Sequence, residues 1–232
     1  MNEIQSYDPR IQAIEAELEQ VLHGDEQAED LENALKQYWI LEERLLALDI
    51  PPSGPLFQTQ QRLLAAVFMR QANILRQFGR GEKAAEASIC ALEAARNADD
   101  DLTLGRSLLS YGTTLNFSGD IEPGLEYVEE ARQVFSRGDS ADHRQGLGRY
   151  WILRADLANA LVMDGGAPEA LEAAGQAIAL LEPIANWPEA AHAWAARAIA
   201  CEALGDPEGA ESARQAQALA ENRIPSSREN GV

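Results

Sequence analysis

The chain has 232 residues, enough for one large domain or for a repeat array around a continuous core. Apolar residues make up 46% of it and aromatics only 6%, with alanine and leucine supplying most of the apolar set, which favours closely packed helices over strands. A formal net charge of −19 argues against nucleic acid and anionic membrane as partners, because their phosphates would be repelled.

The opening MNEIQSYDPR is polar and lacks the apolar core of a signal peptide. No uninterrupted apolar run approaches the length needed to span a bilayer. Cys90 and Cys201 both sit among alanines and make neither a disulfide framework nor a metal motif, so buried thiols are expected. Together these features predict a soluble, cytoplasmic protein. Ile11, Ile14, Leu18 and Val21 form one helical stripe, and Leu31, Leu35, Tyr38, Leu41 and Leu45 form another, with a turn expected at HGDE. Residues 1–50 carry 13 acids against 3 bases, whereas residues 51–100 carry 5 acids against 6 bases. The acidic lobe reads as a solvated helix face. The breaker DIPPSGP, Asp49 to Pro55, follows it. Residues 1–50 are therefore expected to be a divergent N-terminal helical pair or cap. Tyr38, Trp39 and the proline-rich joint make it a candidate for self-association.

Beyond the breaker one phrase recurs. Glycines at 79, 119, 165 and 205 are spaced 40, 46 and 40 residues apart, and small residues stand seven before, five after and twelve after them. The sets are Ala72, Ala84 and Ala91; Gly112, Gly124 and Ala131; Ala158, Ala170 and Ala177; Ala198 and Ala210, with only Gln217 larger. Two antiparallel helices approach closely only where facing side chains are small, and a glycine lets the first helix end in a left-handed cap. Helices are predicted near 57–78 and 81–97, 100–117 and 121–136, 141–163 and 167–184, and 188–204 and 207–222. Asp99 to Asp101, Asp120 and Asp206 are positioned as caps, and Pro123, Pro188 and Pro207 fall in first turns.

This pattern resembles the tetratricopeptide repeat family, over roughly residues 60–222. LLSYGTTL keeps the family's glycine at Gly112, with Leu108 and Leu115 in its bulky places, and WAARAIAC keeps a tryptophan at Trp194 but has Ala198 where glycine is usual. RADLANAL and FMRQANIL keep only small and apolar character, the closing proline is missing from all four repeats, and the spacing exceeds the family's usual length of about 34. The resemblance implies an all-α, right-handed superhelix of antiparallel helical hairpins, a long-period α-solenoid with four hairpins over residues 56–222. A disordered tail is expected at 223–232.

No motif suggests chemistry. Gly79-x-Gly81 follows a helical stretch rather than the strand a dinucleotide loop needs. His23, His143 and His192 are scattered, no paired acids stand isolated in an apolar site, and no serine or cysteine occupies a nucleophile elbow. Catalytic residues, metal and cofactor are therefore not expected. The resemblance implies instead that the first helices of successive hairpins line a concave groove for peptides or partner helices. Phasing on the small residues aligns Asn73, Thr113, Asn159 and Ile199; Arg76, Asn116, Val162 and Glu202; Ala66, Arg106, Ile152 and His192; and Met69, Leu109, Ala155 and Ala195. Met69, Arg70, Asn73, Arg76, Arg106, Leu109, Asn116 and Asn159 are the expected peptide-binding residues. Asparagine can donate to and accept from a peptide backbone at once, and arginine can fork onto a carboxylate. The expected function is a non-enzymatic scaffold or adaptor for a protein segment that bears an acidic group. A ligand-sensing regulatory module is the alternative, and a helical enzyme a second one.

Overall fold

All four turn glycines lie in the left-handed region in the computed structural model of the chain: φ is 68° at Gly79, 94° at Gly119, 90° at Gly165 and 73° at Gly205. A Cβ is strained there, and glycine has none. One residue on, the backbone N–H groups of Arg80, Asp120, Gly166 and Asp206 reach back to the carbonyls of Leu75, Leu115, Leu161 and Cys201, at 2.8, 3.0, 3.0 and 2.9 Å. This six-residue closure satisfies carbonyls that a helix end would otherwise orphan. The recurring phrase is thus a recurring helix stop.

The structure describes residues 8–24 and 30–224. Among them are ten α-helices and no strand, packed in adjacent pairs as an all-α, solenoid-like fold. The chain divides into two compact units, Met1–Val134 and Phe135–Val232. The first contains α1 (Pro9–His23), α2 (Leu31–Leu46), α3 (Pro55–Gln77), α4 (Gly81–Ala98), α5 (Asp101–Ser118) and nearly all of α6 (Ile121–Phe135). The second contains α7 (Ala141–Ala160), α8 (Ala167–Leu181), α9 (Trp187–Ala203) and α10 (Pro207–Glu221). Residues 225–232 and the second half of the HGDE turn fall outside the described residues.

Side-chain caps start several of the helices, and of the acids expected to do so Asp100 and Asp206 serve, while Asp99 instead ends α4 in a left-handed conformation. The carboxylates of Asp8, Asp100 and Asp206 accept from Arg10, Thr103 and Gly209 backbone N–H groups, at 2.8, 2.8 and 2.9 Å, and Asn186 serves Glu189. Two helices stop earlier than their periodicity predicts. The stretch after α7 tightens into a 3₁₀ turn at Val162–Asp164, and that after α8 into one at Glu182–Ile184. In the second case Pro183 has no N–H to continue the α-helical ladder.

Within the hairpins the small residues permit close approach. Ala72, Ala84 and Ala91 are fully buried between α3 and α4, and Ala158, Ala170 and Ala177 are buried between α7 and α8. On Gly112 an added Cβ would sit 2.6 Å from both the Gly124 carbonyl oxygen and Val128 Cγ2, too near for either to yield cheaply. The second unit has a further set that the glycine phasing did not reveal. Gly146 lies flat against the Phe135 ring, and a Cβ on Gly148 would meet Leu181 Cδ2 at 2.5 Å.

The N-terminal pair does not sit apart. Its stripes, Ile11, Ile14, Leu18 and Val21 with Leu35, Tyr38, Leu41 and Leu45, belong to one core with Leu63, Leu64, Val67 and Ala84. Gln60 Nε2 donates to the Leu45 carbonyl at 2.6 Å, Gln71 Nε2 to Glu42 Oε2 at 2.7 Å, and Arg62 to Glu15 at 2.8 Å. The proline-rich joint turns the chain without loosening the packing. Tyr38 is fully buried, while Trp39 is exposed. No helix among the described residues is long and apolar enough to cross a membrane.

Two outcomes follow for stability. Gly112→Leu should cost about 1–3 kcal/mol or more by overpacking, and Gly119→Ala about 1–2 kcal/mol through its left-handed backbone, both read by urea unfolding. Removing residues 1–50 uncovers the Leu64 and Val67 face of α3, so the truncated chain should lose cooperative unfolding in the same assay rather than merely change its oligomeric state.

Candidate functional site

One turn beyond Ala72, the side chain of Arg76 leaves α3 and crosses to α5. Its Nη1 donates to Thr114 Oγ1 at 2.6 Å and more weakly to the Ser110 carbonyl at 3.4 Å, while Nη2 donates to Asn73 Oδ1 at 2.5 Å. The Thr114 hydroxyl spends its own proton on the Ser110 carbonyl, at 2.9 Å. It therefore accepts from both Arg76 and Ser88, whose Oγ lies 2.9 Å away in the core. A polar chain thus runs from buried Ser88 through buried Thr114 to a half-buried guanidinium.

Every acceptor on that guanidinium is neutral. Among the described residues no carboxylate pairs with Arg76, and partial burial pushes its pKa down because removal from water disfavours the charged form. Three of five N–H groups are committed, which leaves Nε–H and one Nη2–H without a protein partner. Other polar atoms near the same stretch of α5 are buried without partners: the hydroxyls of Ser107 and Ser110 and both amide atoms of Asn116.

Of the eight residues expected at a binding face, the structure joins Asn73 and Arg76 directly. Met69, Arg70, Arg106 and Leu109 are half-buried on the same two helices. Arg70 and Arg106 already have interactions of their own. Asn116 is different, because its amide presses onto the backbone of Gly124 at the α5–α6 turn, where a Cβ would collide with it. It fills the gap left by glycine. Asn159 lies in the second unit, where its Nδ2 donates to the Ala196 carbonyl of α9 at 2.9 Å and its Oδ1 is buried without a partner.

Several neighbouring positions in the phased rows are not surface at all. Ile152 is buried with Ile178 and Leu181, and Ala155 with Ala173, Ala174 and Ala196. On α7 these positions are covered by α8 and α9 together. Glu202 pairs with Arg214 of α10 instead of facing a partner, while Ile199 is exposed. The α7–α9 seam carries polar links that periodicity did not single out. Arg149 Nε and Gln145 Nε2 both donate to Glu189 Oε1, at 2.5 and 3.2 Å, and His192 Nε2 meets Asp156 Oδ2 at 3.1 Å. Hydrogen bonds between side chains carry no hydrophobic period, so only pairing registers on two helices at once could have found them.

Cys201 is buried as expected, but Cys90 is exposed on α4. Partial desolvation of its sulfur, then the carboxylates of Glu93, Glu42 and Glu86, push the thiol pKa up, away from a reactive thiolate. Among the described residues no three His, Cys, Asp or Glu side chains gather as a metal site.

No family model and no curated protein matches this chain. Among solved structures, BtubC (BKLC) from P. vanneervenii is similar, with a TM-score of 0.60 and 16% identity over 97% of this chain and 96% of that one. At that identity the likeness concerns the fold alone.

The polar chain has a measurable consequence. Thr114→Val keeps the shape but strips Arg76 and Ser88 of a shared acceptor, so urea unfolding should show a loss of about 1–3 kcal/mol.

Proposed function

We propose that this chain is a non-enzymatic, tetratricopeptide-like adaptor of the cytoplasm that binds an extended or helical protein segment on the exposed face of its first helices. The acidic group of that segment docks at Arg76. The carrying observation is a half-buried guanidinium between α3 and α5 with only neutral acceptors and two N–H groups unspent. A partly desolvated cation without an anion is costly, and an incoming carboxylate offsets that cost through charge-assisted bonds. Asn73 already orients the guanidinium, so little side-chain entropy remains to be lost on binding. Net charge sharpens the choice. A chain at −19 repels an acidic segment over most of its surface, while residues 51–100, with 5 acids against 6 bases, do not.

Affinity capture with the full chain, followed by mass spectrometry, identifies the segment. Arg76→Glu should then weaken its binding by about 2–5 kcal/mol, measured by calorimetry, because it turns a half-buried attraction into a repulsion. Arg76→Met removes the charge together with the bonds to Thr114, Ser110 and Asn73, so it should weaken binding and also lower the melting temperature. Binding indifferent to both substitutions, and to Asn73→Ala, would place the partner on another face.

A further inference from the structure

Side-chain links at three places stitch α7 to α9 along one seam: Arg149 and Gln145 to Glu189, Asp156 to His192, and Asn159 to the Ala196 carbonyl. They differ in what pH does to them. The first joins a guanidinium, charged at every physiological pH, to a carboxylate, and the third is a neutral amide bond. Only the middle one contains a group that titrates near neutrality. We propose that His192 and Asp156 form a proton-operated latch between α7 and α9, through which mild acidification firms the first-helix face of the second unit.

The geometry supports the proton rather than a plain hydrogen bond as the active element. Neutral imidazole can also donate Nε2–H to the Asp156 carboxylate at 3.1 Å, but only imidazolium adds the attraction of opposite charges. The groups bearing on the ring are Asp156 from α7 and Glu189 three residues earlier on α9, both acidic, and no charged group of α8 or α10 among the described residues acts on it. The hydrogen bond to Asp156 comes first and, with both carboxylates, raises the histidine pKa above its ordinary 6.5, against the partial burial that lowers it. A pKa raised by folding means stabilisation that is complete below about pH 6.5 and lost as pH rises through the folded-state value. The two side chains are 56% and 43% exposed, so solvent screens the pair and the effect is modest.

The latch is tested on the full chain without any partner, so its outcome is independent of the docking face proposed above. Proton NMR titration should place the His192 midpoint above 6.5, and Asp156→Asn should lower it. Amide exchange in α9, corrected for the intrinsic effect of pH, should speed up roughly two- to fivefold between pH 6 and pH 8 in the parent, the size open to a half-exposed ion pair. Asp156→Asn and His192→Gln should each flatten that change. An unshifted midpoint in Asp156→Asn overturns the proposal. So does a shifted midpoint with exchange in α9 that does not respond to pH, which would make the pair surface decoration.

Discussion

Everything in this molecule depends on how near two antiparallel helix backbones can come. At Gly112 the facing carbonyl of Gly124 and a methyl of Val128 stand where a side chain would begin. That proximity has two requirements, small residues on the facing stripes and a turn short enough to keep them in register. The left-handed glycines meet the second by ending each first helix in the same six-residue closure. Alanine richness is thus a geometric need. An alanine side chain has almost no rotamer entropy to lose, so it fills such an interface cheaply.

This is why the fold was legible in the sequence while much of the site was not. Close approach leaves a periodic mark: a small residue seven before each glycine, another five after it, and helix boundaries within a few residues of those observed. Where another constraint intervened the reading slipped. Pro183 cut α8 short by removing a backbone donor, and contact from both α8 and α9 drew Ile152 and Ala155 out of a row read as surface. The proline-rich joint suggested independence for the N-terminal pair, but composition reports only that the chain turns there. Whether the elements on either side share a core depends on faces that meet across the turn, here Leu41 and Leu45 with Leu63 and Val67.

Arg76 shows the same limit from the other side. Sequence phasing placed it correctly beside Asn73, four residues past the small position, yet gave no sign that it would span to α5. That reach depends on Thr114, a hydroxyl buried in a mostly apolar stripe, and on the carbonyl it shares with Arg76. Asn116 occupies the position on α5 equivalent to that of Arg76 on α3, and does something unrelated: it covers Gly124. Equivalent positions in a repeat share a backbone environment, but the neighbour each side chain meets is set by the local size of the opposing residue.

The two units link their first helices by related means with unequal charge. In the first, a guanidinium reaches the carbonyl of Ser110, two residues before the small position of α5; in the second, an amide reaches that of Ala196, two before the small position of α9. A helix carbonyl at this register keeps a second lone pair, and it accepts whichever donor the preceding first helix offers. Asparagine discharges that duty without net charge. Arginine does it at the cost of holding a cation half out of water, although a neutral donor suffices in the second unit. Structural need alone therefore explains a donor at Arg76 but not its charge, and the charge is what an acidic partner would use.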